Sequence, residues 1–210
     1  MDPGLELYRT RIDWLPTSLK AALATACAQR QAEVYRAYVE RTGAGNSEVF
    51  DNLLGAIWNE ICGPQTLQQD HKKLEARGYK LLRQKTMNDI YTAGAEFAIL
   101  SVLYSNDVLA FGRTQDVVYS ANQAFNSIDN FLTSPIGKKP QFDINQADTN
   151  ANVLSHPLTQ AEHCRQEQDL FELEQALHRP ATIPNVVDRM RKRSATEAKN
   201  FLPIIDGRGV

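Results

Sequence analysis

The chain has 210 residues, 42% hydrophobic and 23% charged, the balance of a folded domain with a sizeable core and not of a disordered segment. Its formal charge of -2 offers no global electrostatic reason to bind nucleic acid or an anionic membrane. The N-terminal "MDPGLELYRTRIDWL" lacks the basic flank and apolar run of a leader, and no stretch supplies the roughly 18 apolar residues of a membrane helix, so the expectation is a cytoplasmic protein.

The first long pattern runs from Thr17 to Arg41, with Leu19, Ala22, Leu23, Ala26, Cys27, Val34, Tyr35 and Tyr38 on one side of a helix. "TGAG" ends it, because Gly43 and Gly45 can take the positive φ that stops a helix. From Asn46 to Ile61 the residues Val49, Phe50, Leu53, Leu54, Ile57, Trp58 and Ile61 form an unbroken i, i+3, i+4 series. Asn46 or Ser47 suits its cap, and Gly63-Pro64 closes it. So short a connection predicts that these two helices pack antiparallel.

A shorter helix is expected somewhere in Gln65 to Lys85. The stretch "YTAGAEFAILSVLYSND", Tyr91 to Asp107, reads as a helix buried on most of its circumference, with Glu96 in its middle. After "FGRT" the residues Val117, Val118, Ala121, Ala124, Phe125, Ile128, Phe131 and Leu132 predict a helix over Thr114 to Leu132, and a second hairpin.

Ser134 to Ser155 has prolines, asparagines and no apolar period, and reads as a long surface loop at about 134–155. Helical pattern resumes near Thr159, where Thr159 and Glu162 have capping-box spacing, and continues to about Leu177. A last helix starts near Pro184 and reaches about Phe201. With no alternating apolar and polar run, the expected fold is all-α: one helical domain over residues 1–210, of six or seven helices built from antiparallel hairpins.

Motifs for catalysis are missing from the sequence. It has no Glu-x-x-His for a di-metal bundle, no HExxH, no Walker lysine loop, no GxGxxG and no GxSxG, so no catalytic residue, cofactor or metal is expected. His163, Cys164 and Glu167 lie close in sequence, but adjacent helical residues diverge by about 100° and cannot enclose one ion. The three cysteines, Cys27, Cys62 and Cys164, are widely spaced and read as reduced buried thiols.

Charge is distributed unevenly along the chain. One basic tract holds His71, Lys72, Lys73, Arg77, Lys80, Arg83 and Lys85, and another Arg189, Arg191, Lys192, Arg193 and Lys199. Only Tyr79 is placed among them for base stacking, so solvated faces are the expectation and nucleic acid a minor alternative. From Glu162 to Glu174 the sign reverses, with Glu162, Glu167, Asp169, Glu172 and Glu174 against the single base Arg165. Such a helix suits a basic partner protein, and Glu162, Glu167, Asp169 and Glu172 are the candidate partner contacts.

Two charges fall on apolar faces. Arg30 is in line with Leu23, Ala26, Cys27 and Val34, and Glu96 with Thr92, Ala93, Ile99, Leu100 and Leu103. Buried charges are almost always paired, so Arg30 and Glu96 are expected to form a buried structural ion pair between the two hairpins.

The stretch "LKAALATACAQRQAEVYRAYVERTGAGNSEVFDNLLGAIWNEI" resembles the YjaG-like family, a bacterial group catalogued as domain of unknown function 416. It carries the helix with Arg30, then Tyr35, the Thr42-Gly43-x-Gly45 turn and a helix ending in Ile57-Trp58. The likeness implies an all-helical fold, brings no catalytic residues, and extends to proteins similar to immunity proteins of bacterial toxin systems. The expected function is therefore a non-enzymatic immunity protein that binds a cognate toxin. The alternatives are an enzyme using Glu96 with Arg30 in a cleft, or a nucleic-acid-associated protein with Arg77, Arg83, Arg191 and Arg193 on one face. A second copy of the chain is a further candidate partner.

Overall fold

The structure, a computed structural model, describes residues 3–63, 70–83, 90–133 and 154–201. Among the described residues the regular structure is helical throughout. In chain order it comprises α1 (Pro3–Asp13), α2 (Thr17–Arg30), α3 (Ala32–Thr42), α4 (Ser47–Cys62), α5 (His71–Arg83), α6 (Ile90–Phe111), α7 (Thr114–Thr133), α8 (Pro157–Leu177) and α9 (Ile183–Ala198). Single 3-10 turns follow α8 at Pro180–Thr182 and α9 at Lys199–Phe201. The all-α expectation is met; most of the loop at about 134–155 lies outside the described residues, and Leu154 and Ser155 are helical.

α2 is the central rod. Leu19 and every residue from Ala21 to Ala28 are buried, and the many alanines let α4, α6, α7, α8 and α9 approach it closely from several sides. Both expected hairpins form. Tyr35 stacks on Phe50 at 4.4 Å and the Trp58 indole N–H donates to Gln29 Oε1 at 3.2 Å, so α4 runs antiparallel to α2 and α3. Ser101 meets Ser120 at 2.7 Å while Asn130 donates to the Ile90 carbonyl at 2.8 Å, which makes α6 and α7 antiparallel.

Asn46 caps α4, its side chain accepting from the Val49 amide at 3.0 Å, and Gly43 and Gly45 hold the expected positive φ of 66° and 81°. Three expectations change. The helix read as Thr17 to Arg41 is two helices, because Gln31 leaves helical geometry at φ -92°, ψ 0° and α3 restarts at Ala32. α8 is capped by His156, whose ring accepts from the Leu158 amide, while Thr159 and Glu162 are buried within the helix instead of forming a capping box. Of the cysteines only Cys27 is buried; Cys62 and Cys164 are exposed.

α6 crosses the core at Gly94, where a Cβ would stand 2.8 Å from Val34 Cγ1 and 3.2 Å from the Phe131 ring. Gly94→Val, measured by urea unfolding, is therefore expected to lose about 1–3 kcal/mol through overpacking, although an exposed helical glycine would gain from the same change.

Candidate functional site

The functional candidates named from the sequence separate into an interior group and a surface group. Arg30, at the last turn of α2, is fully buried, and its partners come from α8. Its Nε donates to both Glu162 oxygens at 3.0 and 3.1 Å, Nη2 to Glu162 Oε1 at 3.0 Å and to Cys27 Sγ at 3.3 Å, and Nη1 to Asp169 Oδ2 at 2.7 Å. The expected Arg30–Glu96 pair does not form: Glu96 is half-buried on α6, and the carboxylates that meet Arg30 are Glu162 and Asp169. The physical requirement was read correctly and the partner wrongly, since α8 packs on α2 with two acids already spaced to receive one guanidinium.

Burial works against the Arg30 cation, but the attraction of Glu162 and Asp169 more than offsets it and holds its pKa well above the ordinary value. The same burial pushes the Cys27 thiol up to about 12, so this sulfur is neutral and unreactive.

The ion pairs continue outward from this centre. Asp169 also accepts from Arg193 at 2.5 Å, Arg193 reaches Glu172 at 2.7 Å, and Glu172 meets Arg189 at 3.1 Å. Arg165 lies 3.9 Å from Glu162 and 3.4 Å from Glu197. Four arginines of α2, α8 and α9 thus interleave with Glu162, Asp169, Glu172 and Glu197. On the other side of α8, Arg11 of α1 binds Glu174 at 2.8 Å and Glu167 at 2.6 Å.

The acidic segment is therefore not an open docking face. Glu162 and Asp169 are sealed inside, and Glu167 and Glu172 are engaged by arginines of α1 and α9, so the four expected partner contacts hold α8 to the domain. Arg193 is likewise committed inward, which removes it from a shared basic face with Arg77 and Arg83.

What remains open is a set of aromatic side chains that the sequence reading passed over. Trp14 is 80% exposed in the α1–α2 turn and Phe111 65% exposed at the end of α6. The two turns touch: Thr114 Oγ1 bonds Asp13 Oδ1, Lys20 Nζ donates to the Gly112 carbonyl at 3.4 Å, and a Cβ on Gly112, whose φ is 69°, would be 2.9 Å from Thr17 Oγ1. The Arg113 guanidinium lies over the Phe111 ring at 4.7 Å. Nearby, Tyr119 leans on Tyr104 with ring centroids 5.1 Å apart. Asp107 sits beside them with its pKa raised by burial and by the neighbouring carboxylates of Asp116 and Glu75. Trp14 before Leu15-Pro16 and Phe111 before Gly112 were the available signals, since a large aromatic beside a turn residue cannot be covered by its own helix.

A family model described as "Protein of unknown function (DUF416)" matches residues 8–200. A solved structure, of a DUF416 family protein from Shewanella baltica OS155, superimposes with a TM-score of 0.74 over 89% of this chain and 92% of the other, at 17% identity. At that identity the likeness establishes the fold alone. No curated protein matches the chain. No described helix is long and apolar enough to cross a membrane.

Two outcomes test the interior group. Arg30→Met, followed by denaturant unfolding, is expected to lose about 3–5 kcal/mol because it strands two buried carboxylates, and adding Glu162→Gln and Asp169→Asn should restore part of the loss. Glu197 has its pKa raised above the ordinary 4.5, chiefly by burial, so ionising it opposes folding as pH rises. Glu197→Gln, which cannot ionise, is therefore expected to gain stability relative to the parent as pH rises above about 4.5; a pH-independent difference would contradict the assignment.

Proposed function

The chain belongs to the DUF416 family, whose function is unknown, and from that premise we propose that it is a non-enzymatic binding protein, an immunity protein that occludes a cognate toxin. The observation that carries this reading is the exposure of Trp14 (80%), Phe111 (65%) and Tyr119 (42%), the first two beside turns that touch each other. Large rings left in water cost free energy that a partner recovers on docking, and tryptophan, tyrosine and arginine dominate the energetics of protein interfaces.

The face has the parts of such an interface. Trp14 and Phe111 stand as apolar anchors, and Arg113, seated on the Phe111 ring and paired with Asp116 at 2.6 Å, makes a polar margin with Asp13. The inhibition would be steric, a rigid helical end laid over the toxin's own cleft, and it requires no chemistry from this chain. The acidic face of α8, the earlier candidate, gives no support to this reading because its carboxylates are occupied internally.

The decisive measurement is calorimetric titration with the toxin-like protein encoded beside this gene. Trp14→Ala and Phe111→Ala are each expected to weaken binding by about 30-fold, the cost of removing an anchor worth about 2 kcal/mol, with unchanged melting temperature. Full affinity in both variants would remove the aromatic face from the account. If the neighbouring gene encodes nothing toxic and its product does not bind, the immunity reading fails with it.

A further inference from the structure

The basic tract around α5 has a different fate from the arginines of α2, α8 and α9. Lys72, Lys73, Arg77, Lys80 and Arg83 are all exposed, and none takes part in an ion pair among the described residues. Unpaired arginines and lysines are ordinary singly; five on a 13-residue helix whose only acid is Glu75 make a local positive field that no ion pair among the described residues neutralises.

Their placement is ordered. Leu74, Gly78 and Leu81 face the core, and Gly78 lets α5 lie flush on α6, since a Cβ there would come 2.5 Å from Leu103 Cδ2. On ideal helical geometry Lys72, Ala76, Tyr79, Lys80 and Arg83 occupy an arc of about 100° opposite that buried line. With Glu75 they make one contiguous outward strip of the helix. Tyr79, 46% exposed, stands among the cations with small Ala76 one turn away.

We propose that the outer face of α5 binds single-stranded nucleic acid, with Lys72, Lys80 and Arg83 on successive phosphates and a base stacked on Tyr79. Cations alone would suit any polyanion; the exposed ring set among them favours a ligand that carries a flat π-face at each charge. An exposed ring can stack only on a base that is not already stacked and paired, which favours a single strand over a duplex. Its test reads different residues from the proposed toxin contact, so either reading can fail without the other.

The test is fluorescence anisotropy of the full chain with labelled 15-residue oligothymidylate and oligouridylate, with a 15-base-pair duplex and polyglutamate as comparators. With three phosphates neutralised, affinity for the single strand should fall about 20-fold between 50 and 200 mM salt. Lys72→Glu with Lys80→Glu should abolish binding. Tyr79→Ala should weaken it by roughly 5- to 100-fold with the salt slope unchanged, while Tyr79→Phe should keep it. These positions are exposed, and an unchanged melting temperature confirms that each variant is folded. Absence of binding at 50 mM salt overturns the proposal. So does a duplex bound as tightly as the single strand, or a Tyr79→Ala variant that binds normally while polyglutamate competes equally, which would make α5 a dock for acidic protein segments.

Discussion

A guanidinium at the end of α2, with no water to solvate it, sets the terms for the other side of the bundle. Removing Arg30 and two carboxylates from water costs several kcal/mol per ion, and their attraction offsets this only if distances and hydrogen bonds are all correct together. Arg30 meets that condition with four donated bonds to Glu162 and Asp169. Gln166 ties the same site to α7, its amide donating to Glu162 Oε1 at 2.9 Å and to the Ala121 carbonyl at 3.3 Å. A slip of α8 by one residue would turn both acids about 100° away from Arg30, so the cluster fixes register in a way that its apolar neighbours Leu170 and Leu173 could not.

The second arginine shell follows from the first. Two carboxylates facing one guanidinium leave a buried negative excess, and Arg193 and Arg165 compensate it from α9 and from α8 itself. Their own charges are then matched by Glu172 and Glu197 nearer the surface. The most acidic stretch of the chain is therefore spent on internal cohesion, and the charge visible in the sequence is not charge available to a partner.

Helix positions were legible because periodicity survives almost any packing: α4 and α7 lie within a residue or two of where their apolar series placed them. That Arg30 must be paired was legible too. The choice of Glu96 was not, because α6 is apolar nearly all round and buried on several sides, so its phase defines no single inward face. The better signal lay in α8, where the stripe Leu173, Leu170 and Ala176 continues backward into Asp169, Gln166, Glu162 and Thr159 at i, i+3, i+4 spacing. An acid on an apolar stripe carries more information than an acid in an acidic run. The break at Gln31 left no mark, having neither glycine nor proline, and follows from α2 and α3 facing different neighbours.

The consequence for function is a division of labour across the molecule. α8 and α9 use their charges on each other and on α2, whereas α5 carries cations with no ion pair among the described residues and the turns at Trp14 and Phe111 carry exposed rings. The two open surfaces adjoin: Tyr119 of α7 leans on Tyr104 of α6, and Glu75 of α5 neighbours Asp107 of α6. α6 seats α5 through Leu103 and carries Phe111 at its end, so the basic helix and one of the two exposed anchors are mounted on the same largely buried helix. A rigid mount of this kind suits recognition, because ordering cost is met on folding and little of it remains to oppose binding.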